Sequence, residues 1–102
     1  MAIRTVDVHP LAEKEMRAAY RRYARLNPEA AVRFRAALDR VAERIATGAE
    51  QGAPFRLRYR WMRLRRFPYL LYYEIRDPLP VLVYAVAHSR RRLGYWLRRA
   101  RP

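Results

Sequence analysis

The stretch RLRYRWMRLRRFPYLLYYEI, residues 56–75, places six arginines in its first eleven positions and then turns to tyrosine and leucine. Arg56, Arg58 and Arg60 alternate with Leu57, Tyr59 and Trp61, which predicts a strand with one basic and one apolar face. The alternation then reverses. Met62 and Leu64 are apolar at even numbers, while Arg63 and Arg65 are basic at odd ones. A strand that keeps one face buried across such a reversal needs an extra residue, so a bulge or bend is expected at Trp61–Met62. Beyond RRFPY, residues 69–75 are apolar on nearly both faces, the pattern of a central strand.

Working outward, RDPLP is a turn, and VLVYAVAH, residues 81–88, is the most apolar run and predicts another interior strand. The tail SRRRLGYWLRRARP leaves that strand with Arg90, Arg91 and Arg92. Tyr95, Trp96 and Leu97 then anchor a short terminal helix or turn and present an unprotected apolar surface. Upstream, IRTVDV, residues 3–8, alternates as a strand, and HP opens a helix because proline lacks only an N–H that is not needed there. Ala12, Met16, Ala19, Tyr20 and Tyr23 recur at helical spacing up to LNP, where Asn27 caps a second helix and Pro28 begins it. Phe34, Leu38, Val41 and Ile45 form its apolar stripe, widened by Val32 and Ala37. Gly48 and the loop GAEQGAPF end it. The short link at Asn27 makes the two helices an antiparallel hairpin. The expected fold is therefore one α+β domain over residues 1–102: a mostly antiparallel sheet of about four strands, a two-helix hairpin on one face and a short C-terminal helix. The place of residues 3–8 in the sheet stays open.

Composition bounds the function. The 102 residues are 52% apolar and carry 23 Lys+Arg against 9 Asp+Glu, a net charge of +14. Only Lys14 is a lysine; the other basic residues are arginine, whose planar fork suits phosphate and carboxylate, although codon usage alone yields the same ratio. The charge attracts nucleic acid, an acidic protein or an anionic surface. Without cysteine there is no disulfide and no thiolate zinc site, and His9 and His88 alone argue against a histidine-built metal site. No metal or cofactor is expected. No signal peptide or membrane span is readable, so no membrane association and a cytoplasmic location are expected.

If the last three strands form a meander, Arg65, Arg66 and Tyr69 lie at the same sheet end as His88, Arg90, Arg91 and Arg92, with Tyr95 nearby. Arginines among aromatics suit phosphate contact and base stacking. The bland reading assigns Tyr72, Tyr73 and Tyr84 to packing, His88 to a structural role and the helical arginines to a solvated face. A nuclease needs a proton donor and acceptor; His88 and Tyr95 are candidates, with Arg91 steadying charge. No pair of carboxylates stands near the clusters in sequence, Glu74 and Asp77 being alone, which argues against a metal-dependent nuclease. P-loop, G-x-S-x-G and zinc signatures do not occur.

HPLAEKEM before the first helix, RRFPYLLYYEI, and VYAVAHSRRRLGYW follow one another in an order that resembles the RelE/ParE superfamily of type II toxin–antitoxin toxins over essentially the whole chain. The resemblance implies a small basic bacterial toxin silenced by an acidic antitoxin. RelE-like members cleave mRNA in the ribosomal A site with a basic and aromatic cluster; ParE-like members lack that cluster and poison DNA gyrase. The RelE-type C-terminal tyrosine falls on Tyr95. Its two arginines fall near Tyr69 and Ser89, departures at two catalytic positions. RFPY and AVAHSRR look more like the ParE branch. The resemblance thus implies a gyrase inhibitor; the convergent cluster Arg65, Arg66, Tyr69, His88, Arg90, Arg91 and Tyr95 is then the expected target-binding edge, and the apolar surface of Tyr95, Trp96 and Leu97 the expected antitoxin-binding one. The alternatives are a metal-independent, ribosome-dependent endoribonuclease and a plain nucleic-acid-binding domain.

Overall fold

The computed structural model describes residues 3–101. Strand β1 (Val6–Val8) is followed by α1 (Pro10–Leu26), α2 (Pro28–Gly48) and a 3-10 turn at Ala49–Gln51. Four strands come next: β2 (Ala53–Phe55), β3 (Tyr59–Arg63), β4 (Tyr69–Arg76) and β5 (Leu79–His88). They form one sheet in the order β1-β5-β4-β3-β2. The expected meander is present, since β3, β4 and β5 pair antiparallel in sequence order. The sheet is nevertheless five-stranded and mixed, because β1 lies parallel to β5, with Val6 opposite Val81 and Val8 opposite Val83. The expected C-terminal helix is only a 3-10 turn at Leu97–Ala100. So short a segment cannot sustain a helix alone and is held by packing.

Local chemistry sets the helix ends. His9 caps α1, its Nδ1 accepting the Leu11 N–H at 3.1 Å, with Pro10 in the first helical position. Asn27 serves both helices: its N–H donates to the Tyr23 carbonyl at 2.8 Å, and its Oδ1 accepts the Glu29 N–H at 2.9 Å. One residue thereby closes α1 and opens α2, which folds the hairpin tightly. Phe34, Ala37, Leu38, Val41 and Ile45 are buried against the sheet. Val32 is 66% exposed and Tyr20 is 40% exposed, so neither widens a stripe. Val32 stands two positions from Phe34, and residues so spaced do not share a helix face. No helix among the described residues is long and apolar enough to cross a membrane.

The segment expected to begin a strand at Arg56 is instead a hairpin turn. Phe55 pairs with Tyr59, so residues 56–58 are the loop, Arg56 adopts a positive φ of 56°, and Leu57 is fully exposed at the tip. The stretch GAEQGAPF, expected as loop, contains the 3-10 turn and β2. Three residues with a central proline are too short to signal a strand, and Pro54 suits an edge. Gly52 is required here, because a Cβ would run into the hydroxyl of Tyr73, which donates to the Ala49 carbonyl at 2.6 Å.

No bulge occurs at Trp61–Met62. Pairing of β3 with β4 is regular from Tyr59↔Glu74 to Arg63↔Leu70. The reversal of parity has another cause: both faces of the sheet are covered. Met62, Leu64, Leu71 and Tyr73 pack under the helices. Tyr59 and Tyr72 face the other way, with Trp61 and Leu70 beside them. There Trp96 is fully buried, its ring centroid 5.0 Å from Tyr59, 5.1 Å from Tyr72, 5.6 Å from Tyr84 and 5.8 Å from Phe55. The register shifts lie between β4 and β5, one at Tyr72/Tyr73 and one at Glu74/Arg76. Tyr72 pairs with Ala85 but Tyr73 pairs with Val83, so Tyr84 is the extra residue and joins Ala85 on the Trp96 side.

Candidate target-binding site

Antiparallel pairing sets Tyr69, the first residue of β4, opposite His88, the last of β5, with ring centroids 5.2 Å apart. The expected convergence at this sheet end is therefore formed by Tyr69, His88, Arg90 and Arg91. Helix α1 supplies the opposite wall, and Arg22 Nη1 donates to the Tyr69 hydroxyl at 3.2 Å. Together with Glu15, Ala18, Ala19 and Val86 these residues line an open cleft of about 310 Å³. His88 Nδ1 accepts the Arg90 N–H at 3.1 Å, which in a neutral imidazole leaves the proton on Nε2. Tyr69 is buried, its ring packed edge-on against Tyr23 and Phe34, so it forms a wall and offers no stacking platform.

Arg65 and Arg66 do not join this cleft. They line a separate one against α2, with Arg33, Arg40 and Phe67. The loop of residues 65–68 carries the two guanidiniums toward α2 before β4 begins, which sequence position alone does not reveal.

The unprotected apolar surface expected around Tyr95, Trp96 and Leu97 is also absent. Trp96 is the centre of the second core, and Tyr95 and Leu97 are half-buried beside it. Tyr95 is tied into a polar lock that sequence reasoning missed. Its hydroxyl donates to Glu15 Oε2 at 2.6 Å, while Arg99 Nη1 and Nη2 donate to Oε1 and Oε2, each at 2.9 Å. The Val86 N–H donates to Glu15 Oε1 at 3.1 Å, and Arg99 Nη1 also donates to the Tyr84 carbonyl at 2.9 Å. The lock stands on the edge of β5 beyond the end of β1, where a backbone N–H and C=O would otherwise lack a strand partner. The Arg91 guanidinium carbon lies 3.7 Å from the centre of the Tyr95 ring. Glu15 was legible in one respect: it stands three residues after Ala12 and four before Ala19, both buried, so it shares their inward face.

Electrostatics follow from this geometry. Burial alone would raise the Glu15 carboxyl, but hydrogen bonds from Arg99, Tyr95 and the Val86 amide outweigh it, and the net direction is down. Burial and then the hydrogen bond to Glu15 push the Tyr95 phenol well above the ordinary tyrosine range. Tyr84, buried and donating to Glu74 at 2.8 Å, is pushed up to about 12. For Tyr95, both effects favour the neutral phenol, and its hydroxyl proton is engaged by Glu15. What the cleft offers is anion binding through Arg90, Arg91 and His88 Nε2.

The fold and cleft define a class: a small arginine-rich α+β domain with a helical hairpin over one sheet face, a C-terminal cover over the other and a basic cleft at one sheet end. The family model described as "ParE toxin of type II toxin-antitoxin system, parDE" matches residues 6–93, and the chain belongs to that family. This places it on the ParE side of the RelE/ParE superfamily, as its motifs predicted. Among solved structures it is similar to a chain from "Chromosomal ParDE TA system from P. aeruginosa", with a TM-score of 0.72 and 19% identity, covering 84% of this chain and 96% of that one. At that identity the likeness concerns the fold. No curated protein matches the sequence at a significant level. The family match ends before Tyr95, Trp96 and Arg99, so the C-terminal cover and its half of the lock lie beyond it.

Proposed function

We propose that this ParE-family toxin inhibits growth by poisoning DNA gyrase through the basic cleft, without catalysing a reaction, and that a cognate acidic antitoxin neutralises it. The observation that carries the choice of target is the state of Tyr95: its proton is held by Glu15, and Glu15 is itself neutralised by Arg99. A ribonuclease of the RelE type would need that tyrosine free to exchange protons. Arg90 and Arg91 are exposed and carry no ion pair among the described residues, which favours a binding role. In this reading the antitoxin lays acidic and apolar groups over the basic tail, using Leu93, 68% exposed, and the exposed parts of Tyr95 and Leu97, while the fully buried Trp96 makes no direct contact.

The test adds purified toxin separately to gyrase with plasmid DNA and to translating ribosomes with mRNA. Trapped gyrase–DNA cleavage with intact mRNA is the expected result. Codon-phased mRNA cuts with unaffected gyrase would overturn the proposal in favour of the endoribonuclease.

A further inference from the structure

The second cleft lies between α2 and the loop joining β3 to β4. Its floor is small and apolar: Ala30, Ala36 and Ala37 of α2, with Phe67 from the loop. Its rim is four arginines, Arg33 and Arg40 from α2 and Arg65 and Arg66 from the loop. Among the described residues only Arg33 has a carboxylate within reach, Glu29 Oε2 at 4.0 Å, a loose and exposed pair. Arg66 holds a φ of 70°, a left-handed conformation that a residue with a side chain adopts at some cost. The loop therefore spends backbone energy where glycine would be relaxed, and keeps a guanidinium there. Arg33 and Arg40 are seven residues apart on one helix, about 10 Å along its axis.

We propose that this cleft is a contact surface for the phosphate backbone of double-stranded DNA. The inference rests on the gyrase reading for its choice of duplex DNA over other polyanions, and assigns the toxin a direct hold on the DNA that gyrase carries. An acidic protein partner would want large apolar pockets for anchoring side chains, and alanines offer few. Alanines instead let a broad surface approach closely while the surrounding guanidiniums reach phosphate oxygens in pairs. In this assignment the guanidiniums hold phosphate oxygens, which carry no sequence information, so binding is independent of sequence.

The experiment measures binding of the toxin alone to a labelled duplex of arbitrary sequence by fluorescence anisotropy over a range of salt concentrations. Two double variants of equal charge are compared, Arg40→Gln with Arg65→Gln in the cleft and Arg21→Gln with Arg25→Gln on the exposed side of α1. Removing the cleft pair should weaken binding and flatten the dependence of log K on log salt by about 0.9 for each phosphate that is no longer neutralised. The α1 pair should change the slope little. Equal losses from both pairs would mean a diffuse field from the net charge, and would overturn the proposal. So would unchanged DNA binding by a cleft variant that releases the antitoxin, since the surface would then belong to a protein. Matching thermal unfolding of all variants excludes a folding defect. The assay contains no gyrase, so its failure and the failure of the gyrase reading are separate results.

Discussion

On the helix-covered face of the sheet, apolar groups arrive at regular spacing: Phe34, Leu38, Val41 and Ile45 step down α2 onto Leu71, Tyr73 and Val83. On the opposite face they arrive from scattered places, as Phe55, Tyr59, Tyr72 and Tyr84 close around Trp96. The first core is periodic and aliphatic-rich; the second is aromatic and hangs on one residue of a tail with little regular structure of its own. The contrast teaches why a chain of this length carries so many aromatic rings: a single short 3-10 turn cannot cover a sheet, whereas one indole wedged among the rings of the strands can.

The sharpest way to break this contrast is Trp96→Ala. Losing a fully buried tryptophan should cost about 3–5 kcal/mol, measured by chemical denaturation. A cost below about 1 kcal/mol would mean that the tail is a loose cover and the second core no core at all. Leu38→Ala tests the other face and should cost about 2–5 kcal/mol, against under about 0.5 kcal/mol for the exposed Arg40→Ala. Equal losses at the two positions would mean that the helical stripe is misassigned.

The periodic core was legible in the sequence because a helix repeats its inward positions every three or four residues, and α2 does so from Phe34 to Ile45. The opening of α1 at Pro10, the cap at Asn27 and the meander of β3, β4 and β5 were legible for similar local reasons, whereas the cap formed by the His9 ring was not. The second core was not. Its traces were the two-sided apolar pattern of residues 69–75 and the reversal at Trp61–Met62; a reversal read with one buried face means a bulge, whereas with two buried faces it means no irregularity. The same ambiguity hid the hairpin at residues 56–58, since arginine alternating with apolar residues fits a strand as well as a turn flanked by two short ones. The sheet-end cleft followed from antiparallel order, which brought Tyr69 to His88. The departure of Arg65 and Arg66 toward α2 did not, because a loop's direction depends on tertiary packing. Glu15, in sequence, looks like one charge among many on a helix.

That lock joins the two faces across the edge of β5, and pH separates its halves. Glu15 has a lowered carboxyl, so it contributes stability that is fully present above the ordinary value of 4.5 and lost as pH falls through the folded-state value. Tyr95 has a raised phenol, so its contribution is present below the ordinary value of 10.0 and lost as pH rises through the folded-state value. Glu15→Ala should cost about 2 kcal/mol near neutral pH, because it leaves the part-buried Arg99 guanidinium with only the Tyr84 carbonyl as partner, and should flatten the acid limb of stability against pH. Tyr95→Phe should cost about 1 kcal/mol and flatten the alkaline limb. An unchanged acid limb in Glu15→Ala would show that the carboxylate is not held as described.

Growth inhibition by Tyr95→Phe, induced in stages and compared with the parent at matched protein levels, bears most directly on the claim that this tyrosine fastens the tail and does no chemistry. The substitution keeps the ring beneath Arg91 and removes only the hydroxyl. The account predicts toxicity within a few-fold of the parent, alongside the small loss of stability. Loss of toxicity by ~10²–10⁴ in a variant that remains folded would contradict it, and would make the tyrosine a proton-transfer group.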